Sequence, residues 1–438
     1  MAAETDTHIE WCMNDKLKFL MNRLGERLWV KPVLFCLVSI AVALLAKTAD
    51  VVEFLGFLPD ISSDSVEKLL TVMSSSMLVI AVFAVGSMLA AYESAARSAT
   101  PRTFTVVVSD DRSQNALSTF VGAFIFSIVG LVAVTNGYYE KGGIFSLLII
   151  TLIVFALVIL NFLKWVDAIA RLGRLGNTVS KVEAAAESTL RQRGRHPTLG
   201  ARKAFGSTEG VAVTVDSIGY VQHIDVAALQ AIAKKGRLQI EVAILPGCFK
   251  MPDQPVAYLR PDGEQSDDGV RKTGEGLTKK IGEAFVLGDF RTFDEDPRFG
   301  LIVMSEIASR ALSPAVNDPG TAIGVIDSLV RLFVTWVRNA VPDDSRAVEY
   351  DRVLIPELSL DDMFEDAFSA IARDGAKSIE VMIRLQKALA GLAELGDAPM
   401  RKAARDQSGL AFRHAKQALP LASDVERLQE FVLGEGKG

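Results

Sequence analysis

The chain has 438 residues, half of them hydrophobic, with 47 basic and 53 acidic side chains and a net charge of −6. That length leaves room for more than one domain, and no basic block is long enough for a nucleic-acid surface. Cys12, Cys36 and Cys248 are too scattered for a disulfide framework or a CxxC site, and His8, His196, His223 and His414 show no metal-ligand spacing, so no metal or other cofactor is expected.

Residues 1–31 form a polar arm in which Lys16, Lys18, Arg23, Arg27 and Lys31 lead to Trp29; no small-residue cleavage site follows, so the arm is expected to stay in the mature protein. Val33–Ala46 is apolar but short, and spans a bilayer if Lys31 and Lys47 snorkel; the alternative is a re-entrant or interfacial segment. A second span is expected over Leu69–Tyr92. It is unusual in its small and hydroxyl residues: Ser75, Ser76, Ala84, Gly86, Ser87 and Ala91 fall on or beside one stripe. Such residues let helices approach closely, and the same set would serve as a polar pore lining if several subunits packed about an axis.

A mixed-charge loop with Arg97, Pro101, Arg102 and Arg112 precedes a third span, Ala116–Val134, and the turn Asn136-Gly137. The fourth span, Ile144–Leu163, is the clearest. It has no charge, Pro or Gly over a length of roughly 30 Å, the hydrocarbon thickness of a bilayer, and Lys164, Trp165 and Arg171 follow as interfacial anchors. Lys and Arg concentrate in the N-terminal arm, in the loop between spans two and three, and after Leu163. The positive-inside rule therefore places both termini in the cytoplasm, with two short external loops.

From 167 to 196 apolar residues recur at steps of three and four (Ile169, Leu172, Leu175, Val179, Val182, Ala186, Leu190), an amphipathic stalk helix that packs on its own domain or joins identical subunits. Beyond His196-Pro197 the period changes to two. Strands are expected over Gly210–Val215, Gly219–Ile224, Leu238–Leu245 and Val256–Leu259, with a helix at Asp225–Lys234, together forming a small β-rich module over 197–263. Its glycine-turned short strands resemble the half-repeats of barrel-sandwich (biotinyl-like) domains. Lys250-Met251-Pro252 lacks the flanking Met of an attachment lysine, so no biotin or lipoyl group is expected. Residues 264–438 are expected to be mainly helical, with Phe364, Phe368, Ile371, Ile379, Met382, Leu385 and Leu389 at helical period.

Three stretches resemble a family of bacterial predicted membrane proteins, domain of unknown function 2254: Ser98–Arg102 with the preceding span, Gly219–Leu259, and most specifically A-F-V-L-G-D-F-R-T-F-D-E-D-P-R-F-G-L (284–301) followed by A-L-S-P-A-V-N-D-P-G-T-A (311–322). Ala315-Val316 and Gly320 depart from the family's usual residues around Asn-Asp-Pro. The resemblance implies four transmembrane helices with a C-terminal cytoplasmic α+β domain, and it implies no activity.

Within those motifs, Asp294 and Asp296 before Pro297 are expected to be helix-start acids. Arg310, Ser313, Pro314, Asn317, Asp318 and Pro319 are expected to form a rigid capped turn between helices, the alternative being a polar lip near the membrane face. No Gly-x-Ser-x-Gly elbow, Walker loop or dinucleotide fingerprint is present, so no catalytic residue is assigned and the chain is not expected to be an enzyme. A hydrolase built on Ser313, His223 and Asp318 is the remote alternative. The favoured function is a homo-oligomeric channel- or transport-type protein (ion transport) with a cytoplasmic sensing or gating domain. The runner-up is a non-conducting scaffold whose cytoplasmic domain binds a protein partner.

Overall fold

The computed structural model describes residues 29–51, 61–98, 100–103, 111–172, 175–204, 206, 209–261, 275–342 and 345–434. The N-terminal arm before Trp29, with His8 and Cys12, and most of the Gly-rich stretch after Pro261 lie outside them. Two compact units result, Lys18–Thr178 and one containing Val179–Gly438.

The first unit is a helical bundle. Helix α1 (Val30–Leu45) runs on through a 3-10 turn at Ala46–Val51, so the short apolar run acquires spanning length, and Lys47 places its ammonium 4.1 Å from the centre of the Tyr138 ring. Helix α2 (Ser63–Ser98) has 36 residues, roughly 54 Å at helical rise. Helices α3 (Asp111–Thr135) and α4 (Lys141–Leu172) follow. Helix α3 is the centre: α1, α2 and α4 all pack on it, and Phe120 and Phe126 are fully buried there with Leu70, Met73 and Leu147. Its hydroxyls close on their own helix, Ser118 donating to Gln114 O and Ser127 to Ala123 O at 2.7 Å, so they need no partner in lipid. Trp165 packs inward. It is buried within about 6 Å of Phe83, Phe120 and Phe162, because α4 continues as one helix past the apolar run and turns that face inward.

The start of α4 is held by Asp50, which accepts from Gly143 N at 2.5 Å and from Glu140 N at 3.0 Å. Tyr139 adds a hydroxyl bond to Ala43 O at 2.6 Å. Gly142 is required by the close approach: a Cβ there would lie 2.6 Å from Ala49 O. Asp50→Ala and Gly142→Ala are each expected to lower stability in detergent by about 1–2 kcal/mol, the first by orphaning helix-start N–H groups and the second by overpacking. Wild-type thermal midpoints for both would contradict this account.

In the second unit, α5 (Leu175–Arg195) precedes a mixed five-stranded sheet in the order β1 (Ala201–Lys203), β8 (Tyr350–Ile355), β4 (Leu238–Val242), β6 (Pro255–Pro261), β2 (Val211–Thr214). The β1–β8 and β8–β4 pairs are parallel and the others antiparallel. A three-stranded antiparallel sheet has the order β5 (Phe249–Lys250), β3 (Gly219–Ile224), β7 (Phe285–Gly288). Residues 197–263 therefore do not close a β module alone, since β7 and β8 come from later in the chain. Helix α6 (Val226–Gly236), capped by Asp225 on Ala228 N at 2.8 Å, buries Leu229 and Ala233 in the core of these sheets. After α7 (Glu275–Gly282), helices α8 (Pro297–Ala311), α9 (Pro319–Asn339), α10 (Leu360–Asp374), α11 (Ile379–Leu395), α12 (Ala398–Ala418) and α13 (Ala422–Gln429) form a bundle. Phe333, Phe364 and Phe368 are packed at its centre.

Among the described residues, five helices are long and apolar enough to cross a membrane: Val30–Asp50, Ser63–Ser94, Ser113–Thr135, Lys141–Ile169 and Pro319–Asn339. The fifth, α9, differs from the others in carrying charge at mid-length. Asp327 accepts from Arg384 Nε at 2.5 Å, and Arg331 holds Glu183 through two bonds of 2.6 and 2.8 Å.

Candidate functional site

The motif residues of 284–301 meet α5, β3 and the turn at Gly247 in a buried polar cluster. Asp296 caps α8, accepting from Phe299 N at 3.2 Å, with Pro297 at the first helical position, where its missing N–H costs nothing. Its carboxylate also takes a fork from Arg291, Nε at 2.7 Å and Nη2 at 3.0 Å. Burial outweighs both and holds this carboxyl above its ordinary value. Gly247, with φ +93°, lies flush against Asp296: a Cβ would fall 2.2 Å from Oδ2. Glu295 reaches His223 Nδ1 at 2.5 Å, and Gln222 donates to Phe290 O at 2.7 Å. Asp294, by contrast, is exposed.

Arg193 enters this cluster from the last turn of α5. It is 3% exposed, and none of its guanidinium nitrogens has a hydrogen-bond partner among the described residues. Burial draws its pKa down to about 10, against the opposing fields of Glu295 and Asp296. The Glu295, His223 and Arg193 roles have no sequence signature: the three are distant in the chain and only the fold brings them together.

Helix α5 is fastened along the same face. Val182, Ala186 and Leu190, the expected stalk seam, are buried within this unit. Thr189 Oγ1 donates to Phe293 O at 2.5 Å, and Ala186 touches Gly300 so closely that a Cβ on the glycine would come within 2.4 Å. The Arg331 fork holds the Glu183 carboxyl below its ordinary value. Such a group stabilises the fold above its unfolded pKa, about 4.3, and that contribution is lost as pH falls through the lower folded value. Glu183→Gln is therefore expected to flatten the acid limb of the stability curve, by about 1 kcal/mol or less because Arg331 is largely exposed. Parallel urea-unfolding curves for the two proteins from about pH 6 to about pH 3 would rule this out.

The second motif is a tight interhelical turn. Ser313 Oγ donates to Arg310 O at 2.7 Å, and Asn317 N donates to Ser313 O at 2.8 Å. Asn317 adopts φ +49°, and Asp318 N returns to Ala311 O at 2.8 Å. Asp318 caps α9, accepting from Thr321 N at 3.0 Å and Thr321 Oγ1 at 2.6 Å, which lowers its carboxyl pKa; Pro319 opens the helix and Pro314 is exposed. Ser313, His223 and Asp318 are thus each engaged with other groups.

In the membrane-type unit, Ala84 and Ala91 of α2 are buried, Ser75, Ser76 and Gly86 face outward, and Ser87 is half-buried. Ser75 donates to Thr71 O at 3.0 Å and Ser87 to Phe83 O at 2.9 Å. The expected stripe thus divides between an inward packing edge and an open face.

Residues 25–391 match the family described as predicted membrane protein (DUF2254), and the chain belongs to it. Uncharacterized proteins of Mycobacterium bovis and Mycobacterium tuberculosis are each 27% identical over 219 residues, 49% of this chain and 41% of theirs. Another uncharacterized M. tuberculosis protein is 35% identical over 141 residues, 32% of this chain and 27% of its own. The matched segments thus cover under half of these relatives' length. No solved structure matches.

Proposed function

We propose that this member of the predicted-membrane-protein family crosses the bacterial inner membrane four times, with both termini cytoplasmic. It assembles as a homo-oligomer around α2, acts as a channel- or transport-type protein, and uses the Val179–Gly438 unit as its sensing or gating domain. The observation that carries the assembly is the open face of α2. There Ser75, Ser76 and Gly86 sit among exposed Val72, Val79, Val82 and Leu89, and a Cβ on Gly86 would meet nothing within 4 Å. The open face of α4 carries Leu152, Ile153, Leu157, Leu160 and Leu163. Branched aliphatics suit lipid, whereas small and hydroxyl residues suit another helix or a wet path. Four spans rather than five is supported by Asp327 and Arg331, whose partners are soluble-unit side chains that lipid would not supply.

Gly86→Cys in native membranes is expected to cross-link to its counterpart in a second copy, and the purified protein in liposomes is expected to pass ions. Monomeric Gly86→Cys under oxidation, with sealed liposomes under voltage, tension and pH change, would refute the reading. A second reading, a non-conducting scaffold for a protein partner, is supported by the exposed Ile218, Phe249, Met251 and Phe290 in and around the small sheet. A stoichiometric partner recovered from membranes and lost with Phe290→Glu would favour it.

A further inference from the structure

We propose that Glu295 is a two-position latch that passes between His223 on β3 and Arg193 on α5, with the proton on His223 selecting the position. The inference rests on the Val179–Gly438 unit alone and holds whether or not the first unit conducts.

The two carboxylate oxygens of Glu295 are unequal. Oε1 lies 2.5 Å from His223 Nδ1, while Oε2 is sealed from solvent and accepts no hydrogen bond from the described residues. Arg193 is its complement: Nε, Nη1 and Nη2 are sealed as well, and none donates to a described residue. A guanidinium buried without hydrogen bonds is expensive, and the field of nearby carboxylates offsets only part of that cost. Asp296 is the more committed acceptor, because Arg291 takes both of its oxygens and Phe299 N takes Oδ1 again. Glu295 therefore holds the spare acceptor capacity in reach of the Arg193 field.

Two arrangements of comparable worth follow. In one, Glu295 stays with His223 and Arg193 has no bond. In the other, Glu295 swings to Arg193 and gives up the imidazole. A proton on His223 makes its bond to Glu295 charge-assisted and favours the first; loss of that proton favours the second.

Helix α5 brings Arg193, and the loop before α8 brings Arg291, Glu295 and Asp296, with Asp289 and Asp294 exposed on it. Helix α8 brings Arg298, held by Asp362 and Asp366. Strand β5 brings Lys250, whose ammonium is spent on the carbonyls of Val215 and Met251; β7 has no titratable residue, and Asp225 beyond β3 caps α6. The response is read out on α5, because Arg193 lies in its final turn, beyond the Thr189–Phe293 and Ala186–Gly300 contacts.

Hydrogen exchange of residues 187–195 in the full-length protein in nanodiscs tests the latch, with rates corrected for intrinsic pH dependence. Wild type is expected to protect this segment more at about pH 7.5 than at about pH 5.5, by roughly tenfold, as Glu295 passes to Arg193. His223→Gln is expected to show equal protection at both values, and so is Arg193→Gln. A wild type without the pH response overturns the proposal, and so does a response that persists in either variant.

Discussion

Asp296→Ala is expected to destabilise the C-terminal unit by about 3–5 kcal/mol, the cost of removing one partner from a buried ion pair. Three losses add. The cap on Phe299 N goes, worth about 1 kcal/mol. Arg291, whose side chain is 19% exposed, loses both of its fork bonds. Arg193 loses one of the two carboxylates whose fields hold it. Asp296→Asn keeps a capping oxygen but not the charge and is expected to fall between the two. Adding Arg291→Met to Asp296→Ala is expected to recover part of the loss, because the stranded charge leaves with it. Chemical unfolding of the three variants checks the order, and an Asp296→Ala protein as stable as wild type would refute the ion-pair account.

The pH dependence of this residue runs opposite to that of Glu183. Its carboxyl is raised in the folded state, so its contribution is fully present below the unfolded pKa and is lost as pH rises through the folded value. Asp296 therefore does not drive acid unfolding; the depressed carboxyls of Glu183, Asp318, Asp351 and Asp374 contribute to it.

Phe333→Ala is expected to cost about 3–5 kcal/mol, the range for deleting a buried aromatic ring. Phe333 is 1% exposed, and its ring centre lies 4.5 Å from that of Phe364 and 5.6 Å from that of Phe368. Truncation opens a cavity between α9 and α10 that two aromatic rings cannot collapse into without leaving their rotamers. Phe333→Leu retains most of the volume and is expected to cost less than half as much. Thermal unfolding of the full-length protein measures both. If Phe333→Ala were near neutral, α9 would not be packed as a core helix of this unit, and its case as a fifth span would return.

The apolar helices were legible in the sequence because a bilayer-length run without charge has few other homes. Asp296-Pro297 and Asp318-Pro319 were legible as helix starts because a cap acts within three residues, a distance that sequence records directly. The fifth apolar helix is not legible as a span, since Asp327 and Arg331 interrupt its apolar run at mid-length. The strand count of the small module was also hidden, because β7 and β8 arrive from 285–288 and 350–355 to complete its sheets.

The amino-acid order by itself determined the membrane-type half, the switch of period near His196, and the capped turns, all set by local spacing and composition. Tertiary structure alone decided that α3 is the hub of its bundle, that Trp165 turns inward, and that the seam of α5 is spent on its own unit. It also decided that Arg193, His223 and Glu295 share one buried site. The reason is range: periodicity reports that a face must be covered, but which surface covers it depends on contacts between residues far apart in the chain.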